Sequence, residues 1–360
     1  MAGNGYHGCP DPQPGTPAAL GYRMPAEWEP QEAIWLTWPH YLETWDFLLP
    51  QVEDAYTQWI LAMAAGQMVH LLVNDAETEE RVAARLTDAG VDLAQVHFNR
   101  ITNIDTWIRD YGPTFVVNPA ADAPLAMVKW TFNAWGGKYD DLAQDNSVPY
   151  AMNEYLQIPI FEPGIQLEGG SIDVNGAGTV MTTEQCLLNP NRNPHLNRDA
   201  IEQYLQEYLN VSHVLWLKEG VAGDDTDGHV DDIARFVNPS TVLVAVEEDS
   251  RDDNYAALQA NYNLLQGMTD QDDNPLNVIK LPMPGVVQWE GPRLPASYTN
   301  FYIGNEVVAV PTFGHDNDAT ALQVIQDQFP TRKVVGIPAA AVVYGLGTLH
   351  CCSQQQPRIG

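Results

Sequence analysis

The sequence predicts a closed ring of five α/β units, and three observations carry that expectation. Tight turns recur at nearly constant spacing, each flanked by the same order of elements. The turns are Asn175-Gly176, Asn238-Pro239 and Gly304-Asn305, so positions 176, 239 and 305 are separated by 63 and 66 residues. The third observation is a first unit that is one strand short, which a segment near the C-terminus can supply. An interval of about 65 residues is the signature of a repeat built from one supersecondary unit.

Each unit reads as strand, turn, strand, amphipathic helix, strand. SIDV and GTVMT flank the first turn, IARFV and TVLVAV the second, NFYI and EVVAV the third. Helices are expected over 197–208, 254–267 and 318–329, followed by strands such as HVLWL and KVVGI. One period earlier, TFVV and LAMVKWTF flank Asn118-Pro119 with a polar connection in place of a tight turn. The first unit offers the strand AIWLTW, a helix over 52–63 and the strand MVHLLV. The segment 340–349 is the expected donor of its missing strand, closing the ring as propellers close. An ordinary open α/β sheet with coincidental spacing is the alternative. Residues 1–20, rich in Gly and Pro, are expected to be a flexible arm outside a single domain over 21–360.

A formal net charge of −30 excludes a nucleic-acid binder and a protein seated on anionic membranes. It suits a small cationic ligand, although carboxylates that merely solvate the surface give the same total. The first fifteen residues lack a basic start and an apolar core, and no long apolar run follows, so a cytoplasmic protein is expected. Of the four cysteines Cys9, Cys186, Cys351 and Cys352, the last two are neighbours, which does not suit a disulfide scaffold.

The repeat also aligns candidate chemistry. Glu168 and Asp231 each lie eight residues before their turn positions, 176 and 239, and Asp110 lies nine before Pro119. Pseudosymmetry therefore gathers three carboxylates on one axis. Cys351 is a candidate nucleophile, active as the thiolate, and a guanidinium supplies a cation that favours that form. Two aspartates match the flat fork of guanidinium donors. His229, two residues from Asp231, can serve as general acid and base, its charged form favoured by nearby carboxylates. Each of these residues also has a plain structural reading; a loop histidine is usually only that.

Seven segments carry a resemblance: GYRMPAEWEPQEAIWLTWPH, TNIDTWIRDYGP, FNAWGGKY, LEGGSID, LLNPNRNP, GDDTDGHVDDIARFV and LHCCSQQQP. Together they make the chain, from Gly21 to Pro357, resemble the agmatine deiminase family, within the guanidino-modifying superfamily that includes bacterial-type peptidylarginine deiminases and amidinotransferases. The resemblance implies a five-bladed pseudosymmetric α/β propeller of the pentein kind. It implies hydrolysis of agmatine to N-carbamoylputrescine and ammonia, a route toward putrescine, with no metal or organic cofactor. Cys351 takes the nucleophile's place, His229 that of the acid and base, Asp110 and Asp231 those of the guanidinium-binding carboxylates, and Glu168 orients His229 or the substrate. Trp107 matches a substrate-packing aromatic, with a place in the core as the equal alternative. Gly345 and Gly347 belong to the nucleophile loop.

The chain departs from the family pattern at Leu346, where a glycine is usual, and at Asp227, where Asn is usual. If position 346 needs a positive φ, a leucine is costly there, and the loop is then expected to be reshaped and the pocket narrowed. Cys352 is a rival nucleophile, and His350 with the two cysteines makes a poor tetrahedral metal set. Gln354 and Gln355 either brace the loop or touch substrate. Rival functions are a deiminase for free or peptidyl arginine, an amidinotransferase, and a silent binding propeller. Free arginine requires a cation for its α-carboxylate, with Arg23, Arg192 or Lys138 as candidates. The sequence leaves open a homodimer or tetramer and locates no interface.

Overall fold

A computed structural model describes residues 12–289 and 291–359. Its strands form five small sheets, and in each an antiparallel pair leads into a parallel third strand. The first holds β1 (Gln31–Thr37), β2 (Met68–Val73) and β3 (Val96–Arg100); the second β4 (Thr114–Val117), β5 (Leu125–Val128) and β6 (Ile160–Phe161). The third holds β7 (Asp173–Val174), β8 (Thr179–Thr183) and β9 (His213–Leu217). The fourth holds β10 (Ala234–Asn238), β11 (Thr241–Val246) and β12 (Asn277–Pro282), and the fifth β13 (Tyr302–Ile303), β14 (Val307–Thr312) and β15 (Lys333–Pro338). β16 (Ser353–Pro357) returns to the first sheet, antiparallel to β1, with Trp35 opposite Gln354.

The central strands are continuous apolar runs because both of their faces are covered. All six residues of β11, TVLVAV, are buried. Helices read at helical spacing: Arg198–Leu209 buries Ile201, Leu205 and Leu209, starts where the Asn197 side chain accepts from the Ala200 N–H, and ends on Asn210 in the left-handed region. Each fully buried aliphatic side chain contributes about 1.5–3 kcal/mol. Helices Leu49–Met63, Tyr255–Leu265 and Asp318–Gln328 fall on the expected segments. Helix Ala76–Asp88 was not foreseen. Asp75 caps it, its Oδ1 accepting from the Thr78 N–H at 2.7 Å, and only Val82 and Leu86 bury, so its apolar stripe is narrow.

One expectation is corrected. The strand that completes the first sheet is 353–357, after Cys351, whereas 340–349 holds a 3-10 turn, Val342–Gly345, that ends on Leu346 in the left-handed region. Hence Cys351 precedes the closing strand. Of the arm expected over 1–20, residues 1–11, with Cys9, lie outside the described residues. Residues Ala18–Leu20 form a 3-10 turn closed by a Leu20 N–H to Thr16 C=O bond of 3.1 Å. No helix among the described residues is long and apolar enough to cross a membrane.

Candidate active site

Cys351 sits at the end of a tight loop, buried, with its backbone carbonyl accepting from the Arg109 N–H at 3.1 Å. Its Sγ accepts from Asn300 Nδ2 at 3.1 Å and lies 3.7 Å from Asp231 Oδ2. Asn300 also binds the loop: its Oδ1 accepts from the Thr348 hydroxyl at 2.7 Å and from the His350 N–H at 3.0 Å. Burial first, then the charges of Asp231, Asp232 and Asp110, push the thiol well above its ordinary range. These surroundings favour the thiol over the thiolate, and a cation placed beside the sulfur would work the other way.

The three carboxylates that the repeat aligned do converge. Asp110 lies in a short helical turn, Ile108–Tyr111; its Oδ2 accepts from Trp135 Nε1 at 2.9 Å and its Oδ1 from the Gly170 N–H at 3.0 Å. His229 is fully buried, with Nδ1 3.7 Å from Asp110 Oδ1 and Nε2 3.9 Å from Glu168 Oε2. Neither ring nitrogen has a hydrogen-bond partner, nor does Asp231 Oδ1 or Glu168 Oε2. Buried polar atoms are almost always satisfied, so four orphans in one place set this cluster apart as the candidate site. Gly170 makes the convergence sterically feasible: a β-carbon there would lie 2.6 Å from His229 Nδ1.

Charge in this cluster is divided unevenly. Burial pushes Asp110 up to about 6, with Asp231 and Glu168 adding to the rise and His229 opposing it. Burial disfavours the His229 imidazolium, but the Asp110 carboxylate, with Cys186 and Glu168 behind it, outweighs burial and raises it well above its ordinary value. Glu168 is kept below the usual range despite burial because Arg192 Nε donates to its Oε1 at 2.7 Å. Asp231 is likewise held low against burial by His350, whose Nδ1 is 2.6 Å from Oδ2.

Above the thiol opens a cavity of about 500 Å³, lined by Trp107, Asp110, Trp135, Leu346 and Cys351 and edged by Glu43, Asp141 and Asp225. Trp107 is both wall and core: its Nε1 donates to Asp105 Oδ2 at 2.9 Å while its ring packs against Trp45, centroids 5.6 Å apart. Gly345 and Gly347 lie against that ring, and a β-carbon on Gly347 would come within 2.6 Å of Trp107 Cζ3. Leu346 does take the costly conformation, at φ 71°. Asp227, at φ 65°, is matched by Arg192 Nη1 at 2.8 Å and Lys138 Nζ at 2.9 Å, so its extra charge is neutralised.

Cys352 turns away from the cavity; its Sγ lies 3.7 Å from Thr106 Oγ1. Gln355 Oε1 accepts from Arg109 Nη1 at 2.7 Å, and Arg109 Nε donates to the His350 carbonyl, so Gln355 braces the loop. Two buried trios, Glu168–Cys186–His229 and Asp231–Asp232–Cys351, bring atoms of metal-ligand type within 4.8 Å of one another. Sequence reasoning missed Asn300, Trp135, Cys186, Asp232 and Glu27. Trp135 stands in the quoted FNAWGGKY and Glu27 in the quoted GYRMPAEWEPQEAIWLTWPH. Asp232 stands in the quoted GDDTDGHVDDIARFV, next to Asp231, while Asn300 and Cys186 carry no local signal that separates them from core residues.

The family described as Porphyromonas-type peptidyl-arginine deiminase matches residues 23–357. A Legionella pneumophila protein provisionally named agmatine deiminase is 39% identical over 348 residues, 95% of this chain and 97% of that relative. Among solved structures, agmatine deiminase of Enterococcus faecalis superposes with a TM-score of 0.89 at 37% identity, covering 96% of this chain and 98% of that one. A Cys-to-Ser variant of C. jejuni agmatine deiminase with substrate bound superposes at 0.83 with 31% identity, covering 94% and 96%. An α/β fold of several small mixed sheets, a buried thiol with histidine and carboxylates around it, and similarity along nearly the whole chain agree: this chain belongs to the Porphyromonas-type peptidyl-arginine deiminase family, alongside proteins named agmatine deiminase.

Proposed function

We propose that the chain hydrolyses agmatine to N-carbamoylputrescine and ammonia through a covalent intermediate on Cys351. The observation that carries this is a buried oxygen without a partner, Asp231 Oδ1, on the carboxylate whose other oxygen lies 3.7 Å from the Cys351 sulfur. A guanidinium donates from every edge, so it satisfies carboxylate oxygens while its carbon faces the sulfur. Its charge offsets the three aspartates that hold the thiol protonated, and the thiol proton leaves to solvent as the cation enters.

The thiolate then adds to the guanidinium carbon. His229 gives a proton to one nitrogen, the C–N bond breaks, and ammonia departs, leaving a thiouronium. Water adds to that carbon as His229 takes one of its protons, and the C–S bond breaks as the new hydroxyl gives its remaining proton to solvent, releasing the ureido product and the thiolate. The covalent step replaces one hard displacement by two easier ones. Glu168, anchored by Arg192, keeps His229 charged for the first proton transfer.

Support for agmatine over arginine comes from the cavity wall. Among the described residues that line it there is no Lys or Arg, whereas Glu43, Asp141 and Asp225 stand at its edge. The three candidate cations are engaged elsewhere: Arg23 with Glu29, Arg192 with Glu168 and Lys138 with Asp227. A free amine suits that edge and an α-carboxylate does not. The same reading takes residues 21–360 as one catalytic unit, its five sheets as the blades of a propeller closed by β16, in a reducing cytoplasm that keeps Cys186, Cys351 and Cys352 as thiols.

Purified protein incubated separately with agmatine, free arginine and an arginine peptide, with ammonia and ureido product measured, tests the proposal. Turnover of agmatine alone, abolished by Cys351→Ser, supports it. Turnover of arginine or peptide with silence on agmatine would move the substrate, and full activity in Cys351→Ser would end the mechanism.

A further inference from the structure

Three buried groups from distant parts of the chain form a line behind the nucleophile. His350 Nε2 is 2.8 Å from Glu27 Oε2, and its Nδ1 is 2.6 Å from Asp231 Oδ2. All three side chains are more than nine-tenths buried. Carboxylate oxygens are acceptors, so each contact requires a hydrogen on the nitrogen that faces it. The far end of the line is fixed. Glu27 Oε1 accepts from the Ile303 N–H at 2.7 Å, while its Oε2 accepts from Arg235 Nη2 at 2.9 Å and has Arg109 Nη2 at 3.6 Å. The imidazole's own backbone is fixed as well, since its N–H donates to Asn300 O at 3.1 Å and its carbonyl accepts from Arg109 Nε at 3.2 Å.

At the near end the two oxygens of Asp231 differ. Oδ2 is held by His350 and lies 3.7 Å from the nucleophilic sulfur; Oδ1 is buried and has no partner. A carboxylate anchored at one oxygen with the other left bare is prepared to receive a ligand donor at a fixed angle. We propose that His350 is a positioning residue, clamped by Glu27, that fixes the Asp231 carboxylate so that its free oxygen meets the substrate. The inference rests on the reading of Asp231 as a guanidinium-binding group. It also gives the residue next to the nucleophile a duty distinct from covering Cys351 or ligating a metal.

Two near-isosteric substitutions separate this role from a purely structural one. The Asn amide nitrogen lies where the imidazole Nδ1 does, so His350→Asn keeps the donor to Asp231 and loses Glu27. The Gln amide nitrogen lies where Nε2 does, so His350→Gln keeps Glu27 and loses Asp231. Both variants lose one buried hydrogen bond and are expected to lose comparable stability in thermal unfolding. On agmatine, kcat/KM of the folded Gln variant is expected to fall below that of the Asn variant by on the order of tenfold to a hundredfold, the weight of a charge-assisted hydrogen bond. The loss should show in kcat as well as KM, because the thiolate attacks a misaligned guanidinium carbon poorly. Equal kcat/KM in the two variants, or a better Gln variant, overturns the proposal.

A measurement on the unsubstituted protein stands whether or not the variants fold. With ¹⁵N-labelled histidine, a ring N–H engaged in so short a contact to a carboxylate is expected as a strongly downfield proton signal, and its absence overturns the contact and the proposal together. Should the protein show that signal yet leave agmatine untouched, the functional reading fails by itself. The same pair of variants, scored on whichever guanidino compound is turned over, then decides the positioning role.

Discussion

Arg192 and Glu168 meet at 2.7 Å, Nε to Oε1, with both side chains shielded from solvent. Removing the cation leaves a buried carboxylate alone, which typically costs about 3–5 kcal/mol. Arg192→Ala is therefore expected to lower the thermal midpoint markedly. It should also slow turnover, since an unpaired Glu168 takes up a proton and no longer favours charged His229. Arg192→Lys falls between, having one charge but not the fork that also reaches Asp227 and Thr226 O. Unfolding of the Ala variant within about 1 kcal/mol of wild type would contradict a buried pair.

Gly347 should tolerate no side chain. A β-carbon there meets Trp107 Cζ3 at 2.6 Å and Cys351 Sγ at 3.3 Å, so Gly347→Ala displaces either the ring or the nucleophile. A shift of about 1 Å at a reacting atom costs on the order of a hundredfold in rate. Folded protein with kcat down by about that factor is the expected result; wild-type kinetics would show that the loop gives way harmlessly.

Substrate binding should weaken in acid. Asp110 is pushed up to about 6 in the empty site, so below that pH it is neutral and cannot pair with a guanidinium. KM for agmatine is expected to climb about tenfold per pH unit below that value, read from initial rates between pH 4.5 and 8. For folding the sign is opposite. A carboxyl raised in the native state adds stability that is full below its ordinary value near 3.8 and is lost as pH rises through 6. Asp110→Asn should flatten the KM profile while removing most activity.

Leu346→Gly tests the loop's unusual residue. Relief of the left-handed conformation is worth about 1 kcal/mol, and loss of packing against Leu294 and Val343 costs about the same for a partly buried side chain. Stability should change by less than about 1 kcal/mol. Because the side chain also walls the cavity, KM for agmatine should rise, by about tenfold at most. An unchanged KM would mean that the leucine does not touch substrate.

The repeat was legible because its turns demand particular residues: Asn175-Gly176 and Gly304-Asn305 reverse the chain whatever surrounds them, and the apolar strands beside them announce themselves. Period in turn placed Asp110, Glu168 and Asp231 together. The closing strand was misplaced for a physical reason. Hydrophobic pattern favours the apolar stretch 340–349, yet the strand is SQQQP, whose glutamines are buried through hydrogen bonds to Arg109 and Trp35 and carry no apolar signal. Glu27 and Asn300 escaped notice for another reason. Their partners, His350 and Arg235 for Glu27 and Cys351 for Asn300, are remote in sequence, and only folding shows that a buried carboxylate or amide has a partner there.

The pairing of β1 with β16 has a consequence in time. Residues 31–37 leave the ribosome long before 353–357 do, by roughly 15–60 s at ordinary rates of synthesis. Throughout that interval the first strand has an open edge, and the nucleophile, which directly precedes the late strand, has not been made. On the proposed reading of Cys351, the protein becomes reactive only when β16 joins β1, and a chain that stops short of residue 351 is inert toward guanidines however well its earlier sheets have formed.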